Sequence, residues 1–329
     1  MGRPRDALTG VAAGRRRRRG RGEQPVVPDA QFTSYYGRPV IKRPVWRTLD
    51  IAGYLFVGGL AGSSSVLAAG AHFTDRPTLA RAGKITAAGG VMVAAVLLVH
   101  DLGRPERFVN MLRVFKPTSP MSVGSWLLSG YGPAAGLAAV SAVTGRLPRL
   151  GTLATVGAGL IGPTITTYTA ALISDTAVPA WHGGHREMPY VFAGSGASAA
   201  GGLGLLAAPV WENTPARRMA LMGGIVELAA YRLMEHRLGM VAEPYRTGTA
   251  GWLVRASEAL TVAGLAGAVL GRRNRLVCAV SGGALVSASA FMRFGIFKAG
   301  VASAEDPKYT VGPQRERLNA RDGSGIGRV

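Results

Sequence analysis

The sequence predicts an all-α polytopic membrane protein with eight transmembrane helices, and three observations predict it. Only 17% of the 329 residues are charged, against about 25% in soluble domains. Mean hydropathy is +0.20, with 48% of residues hydrophobic. The charges fall between apolar runs of roughly 20 residues, the length of helix that crosses a bilayer core. These runs place spans near 50–72, 82–100, 121–144, 152–174, 189–210, 216–236, 251–270 and 276–297.

Residues 1–45 read as a basic, largely disordered tail, with its densest cluster at Arg15 to Arg19. No apolar core follows that cluster, so it is not a signal peptide. Trp46 opens an eight-helix membrane domain over 46–298, and a polar tail follows over 299–329. Within the spans, runs such as GGLAGSSS and AGSGASAAGGLG supply small residues. Lipid tails are as apolar as leucine, so membrane helices associate by close backbone approach, which small residues permit. The sixth span is the most polar, since it carries Glu227, Arg232 and Glu235.

An even number of spans puts both termini on one side. The tails are rich in Lys and Arg, which places that side in the cytoplasm and the chain in the cell membrane. The connections 101–120, 175–188 and 237–250 then share the cytoplasmic face with the tails. The other four connections are short. One elaborate face and one trimmed face point to a partner docked on the elaborate one.

The formal net charge of +20 suits anionic lipid and cytoplasmic loops as well as nucleic acid. The tail has no aromatic interleaving and the chain no DNA-binding motif, so no nucleic-acid partner is expected. The single cysteine, Cys278, excludes an intrachain disulfide and a Cys cluster for zinc or iron–sulfur. The pair His182 and His185 lacks a third ligand. A haem between helices needs facing histidines, whereas His72 and His100 sit at span ends. Neither a metal nor a haem is expected in this chain.

The stretch from His100 to Trp126 is unlike the runs on either side of it. It holds one carboxylate at a helix end, Asp101, and four cations, Arg104, Arg107, Arg113 and Lys116. An ionisable group at the membrane edge is a functional candidate that needs a partner. For Asp101 the candidate partners are Arg104, Arg107 and, from span eight, Arg293. The alternative is an interfacial carboxylate solvated by headgroups. Tyr54 and Tyr168 put hydroxyls inside apolar spans, where each bonds either a ligand or a backbone carbonyl. Glu227 is the most embedded carboxylate. With Glu258, Arg232 and Arg293 it forms either structural pairs or a path for protons. Ser119 and Pro120 suit the cap and first turn of span three.

The motif DLGRPERFVNMLRVFKPTSPMSVGSW resembles the NrfD/PsrC family of polysulfide-reductase-like membrane subunits. YLFVGGLAGS, Tyr168 with Pro179-Ala180-Trp181, and RFGIFKAG follow in the same order. The resemblance covers roughly residues 35–315. It implies two four-helix bundles and a quinone site, menaquinone being the expected quinone. It also implies two partners: a four-cluster, ferredoxin-like iron–sulfur subunit and a molybdopterin catalytic subunit of formate dehydrogenase or polysulfide reductase type. Under the resemblance Tyr54, Tyr168, Asp101 and His100 line the quinone site, and Tyr54 stands where relatives have a histidine. Asp101, Glu227 and Glu258 are then the proton-transfer candidates. Arg104, Arg107, Arg113, Lys116 and Trp181 are the docking candidates. Two other readings compete: a secondary transporter, which would show paired interrupted helices, and a membrane scaffold kept for docking alone.

Overall fold

The computed structural model describes residues 39–104 and 106–323. The tail before residue 39 and Pro105 of the motif lie outside the described residues. Everything described is helix or connection, with no strand among the described residues. In chain order the helices are α1 (Thr48–Phe73), α2 (Pro77–Leu102), α3 (Glu106–Met111), α4 (Pro120–Thr144), α5 (Pro148–Ser174) and α6 (Pro179–Gly183). They continue with α7 (Met188–Ala207), α8 (Thr214–Leu238), α9 (Glu243–Arg246), α10 (Gly248–Leu270), α11 (Arg275–Glu305) and α12 (Lys308–Gly323).

Seven of these helices are long and apolar enough to cross a membrane: α1, α2, α4, α5, α7, α10 and α11. They fit a multi-pass membrane protein. α8 has 25 residues but falls short in apolarity, for the reason visible in its sequence: Glu227, Arg232 and Glu235 interrupt it.

Several boundaries move outward. α2 begins at Pro77, not at 82, because proline suits a first helical turn although Arg81 lowers the local hydropathy. α11 runs to Glu305, so the segment expected as a tail from 299 begins with two further turns. Ala299, Gly300, Ser303 and Ala304 there are buried. α4 starts as its residues dictate: Ser119 Oγ accepts from Ser122 N at 3.5 Å, and Pro120 opens the helix.

Hydrogen bonds sort the connections onto two ends. At the end with short connections, Arg76 donates to the carbonyls of Trp211 and Glu212. Glu212 accepts from Thr78 and Leu79, and Arg217 donates to the carbonyl of Ala268. At the other end, Arg47 meets Asp101, Arg237 meets Glu187, Tyr245 donates to the carbonyl of Ala180 and Lys308 meets Glu243. The short helices α3, α6, α9 and α12 all lie at this second, elaborate end.

Packing follows the small residues. α1 lies against α2, α5 and α7; α11 lies against α7 and α10. At the α1–α5 crossing, a Cβ on Gly62 would overlap the carbonyl oxygen of Gly162, and one on Gly162 would overlap that of Gly62. Gly202 of α7 and Gly282 of α11 repeat the arrangement. Backbones in direct contact gain dispersion energy that larger side chains would forbid.

Candidate functional site

The elaborate end of α1 and α2 carries a compact polar cluster. Asp50 lies in the first turn of α1 and is 4% exposed. Its Oδ2 is 2.7 Å from His100 Nδ1, at the end of α2. Arg47 Nη1 is 3.4 Å from His100 Nε2. Together these neighbours select the Nδ1–H tautomer: Asp50 accepts the Nδ1 proton, and Nε2 is left as an acceptor. Below the ring, an apolar depression of about 480 Å³ is lined by Ala95, Val96, Val99, His100 and Gly103.

Asp101 does something different. Its Oδ1 accepts from the backbone N–H of Arg47 at 2.9 Å, just before α1. That N–H belongs to a helix start, where amides lack intrahelical partners. The partner expected from Arg104, Arg107 or Arg293 is therefore a main-chain amide instead.

Tyr54 and Tyr168 lie in the main hydrophobic core. Tyr54 is six residues from the start of α1 and Tyr168 six from the end of α5. At 1.5 Å per residue both rings sit about 9 Å below the elaborate end. Neither hydroxyl makes a hydrogen bond within the described residues. Tyr168 rests on Gly124 of α4, where a Cβ would overlap its ring. The glycine of the motif thus makes room for the tyrosine.

The rest of the motif is a scaffold with an exposed edge. Ser122 Oγ accepts from Lys116 N at 3.0 Å and donates to the carbonyl of Val114 at 3.2 Å, which folds the connection onto α4. Arg104, Arg107, Arg113 and Lys116 are all exposed. Among them lie Val109, Val114 and Phe115, 64%, 70% and 56% exposed, an apolar and cationic surface together.

Trp181 is not on that surface, which corrects its expected docking role. It is 0% exposed, stacks on Trp46 at 5.8 Å and packs on Phe297. Its Nε1 donates to the carbonyl of Ile296 at 2.9 Å. Gly300 of α11 leaves the space its ring fills. Trp181 therefore fastens α6 to the segment leading into α1 and to α11, because a large ring with one donor buries well when that donor is satisfied.

The carboxylates of the second half are separate from this cluster. Glu227 is 0% exposed, and neither oxygen has a hydrogen-bond partner among the described residues. It forms no ion pair with Arg293 among the described residues, and the two act on each other only as charges at a distance. Arg293 is also 0% exposed, donates to the carbonyl of Phe192 at 2.8 Å and lies over the Phe192 ring. Glu258 instead pairs with Arg232 at 2.9 Å, and Arg232 with Glu235 at 3.2 Å.

The structure thus brings His100 to Asp50 and Arg47, holds Tyr54 and Tyr168 in one deeper layer, and places Glu227 on α8 and Glu258 on α10, outside that cluster. Asp50 is the residue the sequence reading missed. Its signal was there: a carboxylate in the first turn of a span, four residues before Tyr54 on the same helix face. Outside the membrane-spanning helices, Arg237 holds the Glu187 carboxyl below its ordinary range by a charged hydrogen bond of 2.6 Å.

No curated protein matches this sequence. The family model for polysulphide reductase, NrfD, matches residues 41–234, a region that contains the His100–Asp50 pair, the motif, Tyr54 and Tyr168. That region is more than half of the 329 residues, and it makes the chain a member of the NrfD polysulphide reductase family, the membrane subunits of molybdoenzyme complexes.

Proposed function

We propose that this chain is the quinone-interacting membrane subunit of a molybdopterin oxidoreductase, with α8 as an eighth span and the long helices forming two four-helix bundles. The observation that carries the reading is the His100–Asp50 pair over an apolar depression, with two unpartnered tyrosine hydroxyls one layer deeper. A quinone, menaquinone being the expected one, supplies two-electron, two-proton chemistry when bound.

The chain's own residues fit such a guest. Asp50 orients the imidazole through Nδ1, and His100 Nε2, beside Arg47, is the acceptor through which a proton would be taken or returned. Tyr54 and Tyr168 offer neutral donors in an apolar wall. Asp101 holds the start of α1, and so the position of Asp50, through the Arg47 amide. Glu227 and Glu258 are the groups for protons that cross the second half. The exposed Arg104, Arg107, Arg113 and Lys116, with Val109 and Phe115 between them, suit a ferredoxin-like iron–sulfur subunit. That subunit would pass electrons to a catalytic subunit of formate dehydrogenase or polysulfide reductase type. The termini lie in the cytoplasm and the chain in the cell membrane under this reading. The long helices run without breaks among the described residues, which does not suit the paired interrupted helices of a transporter.

The test is quinol oxidation by the assembled complex. His100→Gln and Tyr168→Phe are each expected to lower the rate about a hundred-fold, the usual contribution of a positioned acid–base group, with the iron–sulfur subunit still co-purifying. Unchanged rates in both variants would remove the site. A wild-type complex that holds its docked partner but neither binds nor oxidises quinol would leave the docking scaffold as the better reading.

A further inference from the structure

The first-half pair α2 and α4 packs closely, but the corresponding pair α8 and α10 meets only lightly. Between them opens a groove of about 870 Å³ that includes Tyr231, Arg232, Glu235, Arg246, Arg255 and Glu258. α8 ends and α10 begins at the elaborate end, so these charges lie toward that end. Leu228, Val262, Ala263 and Ala266 line the deeper part. Trp252 is 58% exposed on α10, one turn before Arg255, and an exposed tryptophan there marks the level of the bilayer interface. The groove is thus polar at interface level and apolar below it, as an amphiphile is.

Its charges do not balance. Three guanidiniums, Arg232, Arg246 and Arg255, face two carboxylates, Glu235 and Glu258. Arg232 and Arg246 pair with those carboxylates. Arg255 donates only to the carbonyl of Arg246, at 2.8 Å, and has no carboxylate partner among the described residues. The groove therefore carries one uncompensated positive charge. Tyr231 is 1% exposed, lines the groove and leaves its hydroxyl without a hydrogen bond within the described residues. Glu258 lies ten residues into α10, about 15 Å from its start, and its pair with Arg232 would be costly bare against hydrocarbon.

We infer that this groove binds one anionic phospholipid. Its phosphate lies on Arg246 and Arg255, its ester region covers Arg232 and the Tyr231 hydroxyl, and an acyl chain runs along Val262, Ala263 and Ala266. The phosphate supplies the missing negative charge. The chain fills the trough that small α10 side chains leave open. The site is independent of the quinone reading.

The test uses the full chain, reconstituted in vesicles of phosphatidylcholine with and without phosphatidylglycerol, then released and weighed by native mass spectrometry. The wild type is expected to retain phosphatidylglycerol in preference to phosphatidylcholine. Arg246→Gln/Arg255→Gln is expected to retain it about thirty-fold less, the effect of two arginines at an anionic surface. Ala263→Trp fills the trough with every charge kept, and is expected to lose the lipid too, so the inference does not hang on one variant folding. Arg149→Gln, at the opposite end, is expected to retain it. Equal retention across all variants overturns the inference. So does equal retention of the two lipids, a co-purified quinone in place of the lipid, or displacement by inorganic phosphate alone, which would mark a simple anion site.

Discussion

In α1, α2, α4 and α5 the buried polar groups are mostly hydroxyls, whereas in α7, α8, α10 and α11 they include full charges. Ser65 and Tyr131 share a hydrogen bond of 2.6 Å, and Ser63 and Thr166 one of 3.2 Å. Asp50, 2.7 Å from His100, and Lys84, 3.4 Å from His72 near the end with short connections, are the exceptions in this half. The second half buries Glu227 and Arg293 completely and sets Arg232 between Glu235 and Glu258. A hydroxyl satisfies itself with one carbonyl, as Tyr131 does with Ala61 at 2.7 Å. A buried charge needs an opposite charge and further donors, or it is costly. The site proposed for a neutral guest, beside His100 and the two tyrosines, lies in the first half. The second half is held to a fixed charge balance.

The largest expected effect tests that balance. Arg293→Met leaves Glu227 without its buried counter-charge and should destabilise the protein by about 3–5 kcal/mol, read by thermal or denaturant unfolding in detergent. The double variant Glu227→Gln/Arg293→Met removes both charges and should recover most of the loss. A double variant as unstable as the single one would show that shape, not charge, distinguishes the two halves.

A smaller effect is expected in the first half. Gly124→Ala forces a methyl into the Tyr168 ring and should cost about 1–3 kcal/mol, as overpacking does. It should also lower quinol oxidation, because Tyr168 must move. Full activity with reduced stability would make Tyr168 a packing residue and erase the contrast at that point.

The smallest effect concerns the elaborate end, where the halves are tied together. Arg237 depresses the Glu187 carboxyl below its ordinary value of 4.5. A depressed carboxylate contributes stability that is present above the ordinary value and lost as pH falls through the lowered one. Both side chains are partly exposed, 9% and 34%, so the contribution is about 1 kcal/mol or less. Glu187→Gln should flatten the pH dependence of the unfolding midpoint below about pH 4.5 while leaving quinol oxidation unchanged. An unaltered acid limb would assign it to other carboxylates.

Hydropathy alone located the seven apolar spans, because each must present about 20 predominantly apolar residues to lipid whatever its neighbours do. The start of α4 was equally legible, since Ser119 and Pro120 act within one turn. The motif from 101 to 126 gave the family, but its residues divide between scaffold and surface in a way its spelling does not reveal. Trp181 read as a docking residue under the resemblance to the family, from a connection on the elaborate face. Only the packing of α6 on α11 shows its ring enclosed and its N–H satisfied by Ile296. α11 outruns its apolar stretch because Lys298 ends the hydropathy signal without ending the helix.

Asp50 was hidden for a related reason. A carboxylate in a first turn is ordinary helix chemistry, and His100 lies 50 residues away. The sequence by itself determined which segments are helices and which end of each meets polar surroundings, because those preferences act locally or through the solvent. Tertiary structure decided which polar groups meet: His100 with Asp50, Arg237 with Glu187, and Arg232 with Glu258, while Arg293 donates to the Phe192 carbonyl and not to Asp101. Such pairs join helices far apart in the chain, and their geometry is fixed only when glycines such as Gly62 and Gly162 bring the backbones into contact.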